Sequence, residues 1–329
     1  MLKQYLLAGL IFCKIGTVFC FDQSSQTTPK VVVLIAFDES DTSDRILAPN
    51  DGNFWYKLKK ACAEHGYLLT TRRYQYKNPY ALVAFNAPAQ GVSNYPAHKK
   101  ILYTWEPATI LERNFDPNVY AEYDIVMTWH DGLVDGKKFR KFNYALQFGM
   151  PEKLSSFTAK KLCAFFGANK SSSNQHELYS QRFESLMFFE KYAPQDFDFY
   201  GPGWPSQMFM TYRGYATDKL GQLGLYRFGL AYENMKANGY ITEKIFDTFS
   251  AGSVPVYYGA PNIASYIPSN CFIDRRLFTN DAALYQFLKN MTEEQYEQYI
   301  VNIRAFLASQ QAQNFSCERY IETFIEALA

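Results

Sequence analysis

An α/β protein built on two parallel sheets is predicted by three features. Continuous apolar runs alternate with helical or loop segments, one compact β-α-β unit spans residues 226–261, and the 329-residue chain exceeds the usual size of one domain. Strands of a parallel sheet are covered on both faces and read as unbroken apolar runs. Two domains of about 130 to 150 residues each are the simplest division. With 48% hydrophobic and 18% aromatic residues the chain can fill two cores. Its formal charge of +1 gives no basic field for nucleic acid.

The first half opens on a strand over residues 31–37, followed by a polar loop to Asn50 and a helix over about 53–65. Further strands are predicted at 66–71, 80–85, 100–105 and 123–129. Residues 149–156, with Pro151 and no periodicity, are the linker. The second half begins with a strand at 161–167, a polar loop at 169–175, a helix at 177–192 and a short strand at 197–200 ending in Gly201-Pro202-Gly203. A last strand at Phe272-Ile273 and helices near 282–289, 293–308 and 317–328 complete the chain.

Upstream of the first strand, Lys3 precedes apolar runs at 5–13 and 15–21, interrupted by Lys14. This pattern suits a cleaved signal peptide, a signal anchor or an interfacial helix over residues 1–21. A lysine at the centre of a span costs about 3 kcal/mol on insertion scales. Of six cysteines, Cys62, Cys163, Cys271 and Cys317 lie outside this segment, widely spaced. They suit buried thiols or disulfides equally. Glycosylation sequons begin at Asn169, Asn290 and Asn314, too few above chance to decide anything.

The densest unit is YRFGLAYENMKANGYITEKIFDTFSAGSVPVYYGAP, Tyr226 to Pro261. A strand at 228–232 leads through a loop at 233–240 into a helix at 241–250, stopped by Gly252 before a strand at 254–258. Thr242 is the predicted cap, which puts Glu243 and Lys244 in the first turn. A cation there opposes the helix dipole, so Lys244 is best explained by a ligand of more than one negative charge between it and the helix end.

These residues resemble the signature of the family-10 glycosyltransferases, the α-1,3/1,4-fucosyltransferases. The resemblance rests on Tyr232-Glu233-Asn234, Tyr240, Thr242-Glu243-Lys244, Ala251-Gly252, Val254-Pro255 and Gly259. It implies the GT-B fold, two facing Rossmann-like domains with a cleft between them. An acceptor-binding domain would span 22–150, and a GDP-fucose-binding domain with terminal helices 151–329. The activity implied is inverting transfer of fucose from GDP-fucose to a glycan hydroxyl, 1,3- or 1,4-linked. Another nucleotide sugar is the alternative.

A departing diphosphate needs its charge neutralised, by a metal held on acidic residues or by cations and a helix N-terminus. Lys244 is the first cation, and the resemblance implies Arg182 as the second, with no metal required. It also implies that Glu243 accepts hydrogen bonds from fucose and steadies an oxocarbenium-like transition state. Asn234 and Tyr240 are expected to touch the nucleotide or sugar from the loop, and Tyr232, a large aromatic at a strand end, is expected to belong to the core. The acceptor hydroxyl must lose a proton, and Glu106, at the carboxyl end of the 100–105 strand, is the candidate base. Asp131 and Asp38, at comparable strand ends, are the alternatives. His65, His98 and His176 show no ligand spacing.

Two rivals remain. Asp196-Phe197-Asp198 matches the DxD pattern that binds Mn²⁺ or Mg²⁺ in a different glycosyltransferase fold. An exported two-lobed sugar-binding protein without turnover would suit the leader. GDP-fucose is made in the cytosol, so an exported enzyme implies a Golgi-type lumen supplied with it, and otherwise the leader would hold the catalytic part at the cytoplasmic membrane face.

Overall fold

The computed structural model describes residues 28–37, 39–50 and 53–329. The expectations for the leader and for Asp38 fall outside these residues. The strands are β1 (Lys30–Ile35), β2 (Tyr67–Thr70), β3 (Ala81–Phe85), β4 (Lys99–Tyr103), β5 (Ile125–Thr128), β6 (Phe139–Lys141), β7 (Lys161–Phe166), β8 (Phe197–Tyr200), β9 (Tyr226–Tyr232), β10 (Val254–Tyr258) and β11 (Ile273–Asp274). Between them lie α1 (Phe54–Glu64), α2 (Pro117–Ala121), α3 (Tyr179–Tyr192), α4 (Lys219–Leu223) and α5 (Glu243–Ser250). After β11 come α6 (Asp281–Asn290), α7 (Glu293–Leu307), α8 (Gln310–Gln313) and α9 (Cys317–Leu328).

The strands form two parallel sheets, in the order β2-β1-β3-β4-β5-β6 and β11-β10-β9-β7-β8. The apolar runs are buried as a doubly covered sheet requires, with Val32, Val33, Leu34, Ala81, Leu82, Val83, Val254 and Val256 inaccessible. In each sheet the chain reverses direction beside its first strand, between β1 and β3 and between β7 and β9. Ligands of open α/β sheets bind outside the carboxyl ends of strands at such switch points. Edge strand β6, FRK, has no apolar run and was not expected. Helix α7 is started by a capping box in which Thr292 and Gln295 bond each other's backbone.

Helix α9 packs on the first sheet although it ends the chain. Tyr320, Phe324 and Leu328 join the core of β1, β3 and β4, and the Leu328 carbonyl accepts from Tyr80 Oη and Lys99 Nζ, both at 2.9 Å. Cys62, Cys163, Cys271 and Cys317 are all free and buried. Among the described residues no helix is long and apolar enough to cross a membrane.

Asp131 ties the two halves. Its carboxylate accepts from Lys141 Nζ (2.6 Å) in the first half and from Asn262 Nδ2 (2.7 Å) and Tyr266 Oη (2.6 Å) in the second. Gly239 lies against the same junction at φ +81°, where a Cβ would sit 2.3 Å from the Trp129 carbonyl oxygen. Burial would raise the Asp131 pKa, but the bonds from Lys141, Tyr266 and Asn262 together hold it below the ordinary aspartate value. A depressed folded-state pKa contributes stability above the unfolded value and loses it as pH falls through the folded one. Asp131→Ala is expected to destabilise by about 1–3 kcal/mol at pH 7. In urea denaturation the difference from wild type should shrink as pH drops below the ordinary aspartate range.

Candidate active site

A cavity of about 480 Å³ opens at the switch point of the second sheet. Residues 166–168 and Lys170 line it from the end of β7, residues 200–202 from the end of β8, and Asn234 from the end of β9. Helix α3 contributes Arg182, α4 contributes Lys219, and the start of α5 contributes Glu243 and Lys244. Four cations and one carboxylate therefore face the same space.

Helix α5 is held at its start by Glu233, the residue after β9. Its carboxylate has no solvent exposure and accepts from Thr242 N (2.8 Å) and Thr242 Oγ1 (2.7 Å). Lys244 Nζ sits 3.1 Å from Glu233 Oε2, donates to Thr242 Oγ1 at 2.8 Å, and lies 3.2 Å from Glu243 Oε1. Two expectations are corrected here. Thr242 occupies the cap position, but its hydroxyl serves Glu233 and makes no capping bond to the helix. Lys244 has buried Glu233 as its counter-charge within the chain, so a ligand is not needed to explain a cation at that end. Gly259 makes the arrangement possible, because a Cβ there would meet Glu233 Cγ at 2.5 Å. Burial would lower the Lys244 pKa, and the charges of Glu233 and Glu243 outweigh this and raise it.

Arg182 is not a solvated helix residue. It is 5% exposed, and its Nη2 donates to the Tyr232 carbonyl (2.6 Å) and Asn234 Oδ1 (2.8 Å). Its Nε has no hydrogen-bond partner, and among the described residues it forms no ion pair with a carboxylate. A buried guanidinium without an anion is costly and marks a place for one. Tyr240 departs from expectation. Its ring is buried, 4.6 Å from Trp129, and its hydroxyl accepts from Asn234 Nδ2 at 3.4 Å, so it steadies Asn234 and does not line the cavity.

Glu243 is the carboxylate at the cavity, with its side chain 48% exposed. Enclosure alone would raise its pKa, but the charges of Lys244 and Lys219 hold it at about 2, so it stays ionised. Glu106 is positioned by two asparagines. Asn86 Oδ1 accepts from Glu106 N at 2.8 Å, and Asn114 Nδ2 donates to the Glu106 carbonyl at 2.8 Å and to Asn86 Oδ1 at 2.7 Å. The carboxyl accepts no hydrogen bond among the described residues. Burial pushes its pKa up, against the pull of Lys170 and Lys244 and with a further push from Glu243. These three charges belong to the second half, so the Glu106 carboxyl lies within their electrostatic reach, although Glu106 does not itself line the cavity.

The structure brings Arg182, Asn234, Glu243 and Lys244 together at the cavity, places Glu106 within reach of the Lys244 and Glu243 charges, and leaves Asp131 and the DxD pattern outside. Asp196 is bound to Lys289 (2.7 Å) and Tyr285 (2.8 Å), and Asp198 to Lys161 (2.8 Å), Arg213 (2.6 Å) and Tyr226 (2.7 Å). Among the described residues no group of three or more His, Cys, Asp or Glu is arranged so that it could hold a metal ion. Glu233, Lys170 and Lys219 were given no role from sequence. Glu233 lay inside the quoted Tyr-Glu-Asn triplet at a strand end, which was the available signal.

Two parallel α/β domains, with carboxyl-end loops facing across a cleft, define a protein of the GT-B fold. The solved structure of an α1,3-fucosyltransferase with GDP aligns over 93% of this chain and 92% of its own at TM-score 0.60 and 15% identity. Anabaena HepE, in complex with UDP and glucose, aligns over 91% and 99% at TM-score 0.56 and 10% identity. At these identities the likeness speaks to the fold. The family description glycosyltransferase family 10 (fucosyltransferase), C-terminal, matches residues 158–321, and the chain belongs to this family through that domain. GDP-fucose protein O-fucosyltransferase 3 of Xenopus laevis is 40% identical over 81 residues, 24% of this chain and 17% of that protein. The α-(1,4)-fucosyltransferase of Arabidopsis thaliana is 36% identical over 69 residues, 21% of this chain and 17% of that protein. The chain thus matches under a fifth of these relatives' length.

Removing Lys244 strands the buried Glu233 carboxylate. Lys244→Met is expected to destabilise by about 3 kcal/mol or more, and Glu233→Gln added to it should recover part of the loss, since the second change removes the orphaned charge. Chemical denaturation of the two variants and wild type measures this.

Proposed function

We propose that the protein transfers L-fucose from GDP-β-L-fucose to a hydroxyl of a glycan or glycoprotein acceptor, with inversion, in α-1,3 or α-1,4 linkage. The observation that carries this is Arg182, a buried guanidinium with an unpartnered Nε and, among the described residues, no ion-paired carboxylate, beside Lys244 at a cavity on a sheet's switch point. A diphosphate supplies the missing anion. The family supports fucose as the sugar, and the GDP complex of an α1,3-fucosyltransferase of the same fold supports the nucleotide. The relatives act, by their names, on proteins or in α-1,4 linkage, which leaves both acceptor classes within the proposal.

In this mechanism Glu106 takes the proton of the acceptor hydroxyl as its oxygen attacks the anomeric carbon, opposite the departing GDP. Its raised pKa suits it to that proton. Arg182 and Lys244 take up the charge growing on the diphosphate, so the arrangement supplies its own cations and requires no metal. Glu243, held ionised, faces the sugar and stabilises positive charge developing on its ring. Asn234, fixed by Arg182 and Tyr240, orients the donor. The leader is proposed to place the catalytic part at a membrane or in a secretory lumen.

Release of GDP from GDP-fucose in the presence of an N-acetyllactosamine-type acceptor tests the assignment, and activity should persist in EDTA. Glu243→Gln is expected to lower kcat about a hundredfold, or about 3 kcal/mol. Glu106→Gln should lower it by about 10² to 10⁴. A base must be deprotonated to act, so kcat/KM of the wild type should fall with decreasing pH at values above the ordinary carboxylate range. Sugar binding without GDP release would instead favour a two-lobed binding protein.

A further inference from the structure

The cavity has two chemically different parts. Arg182, Glu243 and Lys244 lie together by the end of β9, while Phe166, Tyr200 and Tyr215 form an aromatic wall by the ends of β7 and β8. Two of these rings are already engaged. Phe166 and Tyr200 stack at 4.6 Å with 9° between planes, and the Tyr200 hydroxyl is 2.9 Å from that of Tyr226.

Tyr215 is not. It lies in the segment joining β8 to α4, beside the end of β8, where Gly201 N donates to the Gly214 carbonyl at 2.9 Å. It is 71% exposed, and among the described residues its side chain makes no hydrogen bond and no ring or cation contact. A lone tyrosine ring on the surface needs no explanation, but this one lines a cavity whose other part carries the cations for a diphosphate. Flat aromatic ligands gain from stacking on such a ring whatever their hydrogen-bonding edge.

We propose that Tyr215 stacks on the nucleotide's base and so forms the base subsite of the cavity, with the diphosphate reaching Arg182 and Lys244. This rests on the proposed use of GDP-fucose. The base takes no part in the reaction and is held alike before and during transfer, so Tyr215 acts on donor affinity and KM and leaves kcat nearly unchanged.

Calorimetric titration of wild type, Tyr215→Ala and Tyr215→Phe with GDP and with inorganic pyrophosphate tests this. Tyr215→Ala is expected to weaken GDP about tenfold or more, in line with the loss of one base–aromatic stack, and to leave pyrophosphate unchanged. Tyr215→Phe, which keeps the ring, should bind GDP as wild type does. Unchanged GDP affinity in Tyr215→Ala, or equal loss for both ligands, overturns the proposal. A wild type that releases GDP from GDP-fucose while Tyr215→Ala keeps full GDP affinity refutes the base subsite alone. A wild type that neither binds GDP nor releases it refutes the transfer function as well.

Discussion

Burial of the Glu233 carboxylate at the end of β9 organises everything around the cavity, because a charge without solvent must be met in full by its neighbours. Thr242 meets it with a backbone N–H and a hydroxyl, and Lys244 with an ammonium, which fixes the first turn of α5 against the strand. Lys244 is thereby held charged at the cavity wall and Glu243 is kept ionised beside it. The same strand end carries the Tyr232 carbonyl and Asn234, which hold Arg182 through one nitrogen and leave the rest of its guanidinium without an anion.

The opposing half works by neutral groups. Asn86 and Asn114 fix the backbone of Glu106 without touching its carboxyl, which stays free of hydrogen bonds and is driven towards a higher pKa by burial. Two carboxylates thus face one cleft in contrasting states. Glu243 is pulled down by cations, and Glu106 is pushed up by its surroundings. That division suits one to stabilise positive charge and the other to accept a proton. The Asp131 junction keeps the two halves in register behind them.

Much of this was legible in the chain, and the rest was hidden for identifiable reasons. Strands such as 197–200 and 254–258 were bounded as observed, because a doubly covered strand leaves an unbroken apolar run between turn residues. Edge strand β6 was invisible because its FRK sequence has no such run, and α4 because Gly221 and its single turn carry no periodicity. Thr242 reads as a cap by local rules, yet a buried acid nine residues earlier in the chain takes its hydroxyl. Tyr240 reads as a ligand contact by its place in the motif, yet Trp129 of the other half covers it. Glu106 and Asp131 look alike at strand ends. Only the structure shows that Asp131 is committed to Lys141, Asn262 and Tyr266, while Glu106 is uncommitted.

The central claim is that side chains at the start of α5 and in α3, above all Arg182, await a diphosphate. Comparing GDP with GMP by calorimetric titration of the wild-type protein in excess EDTA tests it directly, because the two ligands share their base and ribose and differ in the second phosphate. GDP is predicted to bind at least tenfold more tightly than GMP, a difference of about 1.4 kcal/mol or more. Equal affinities, or a preference for GDP that disappears on chelation, would contradict the account.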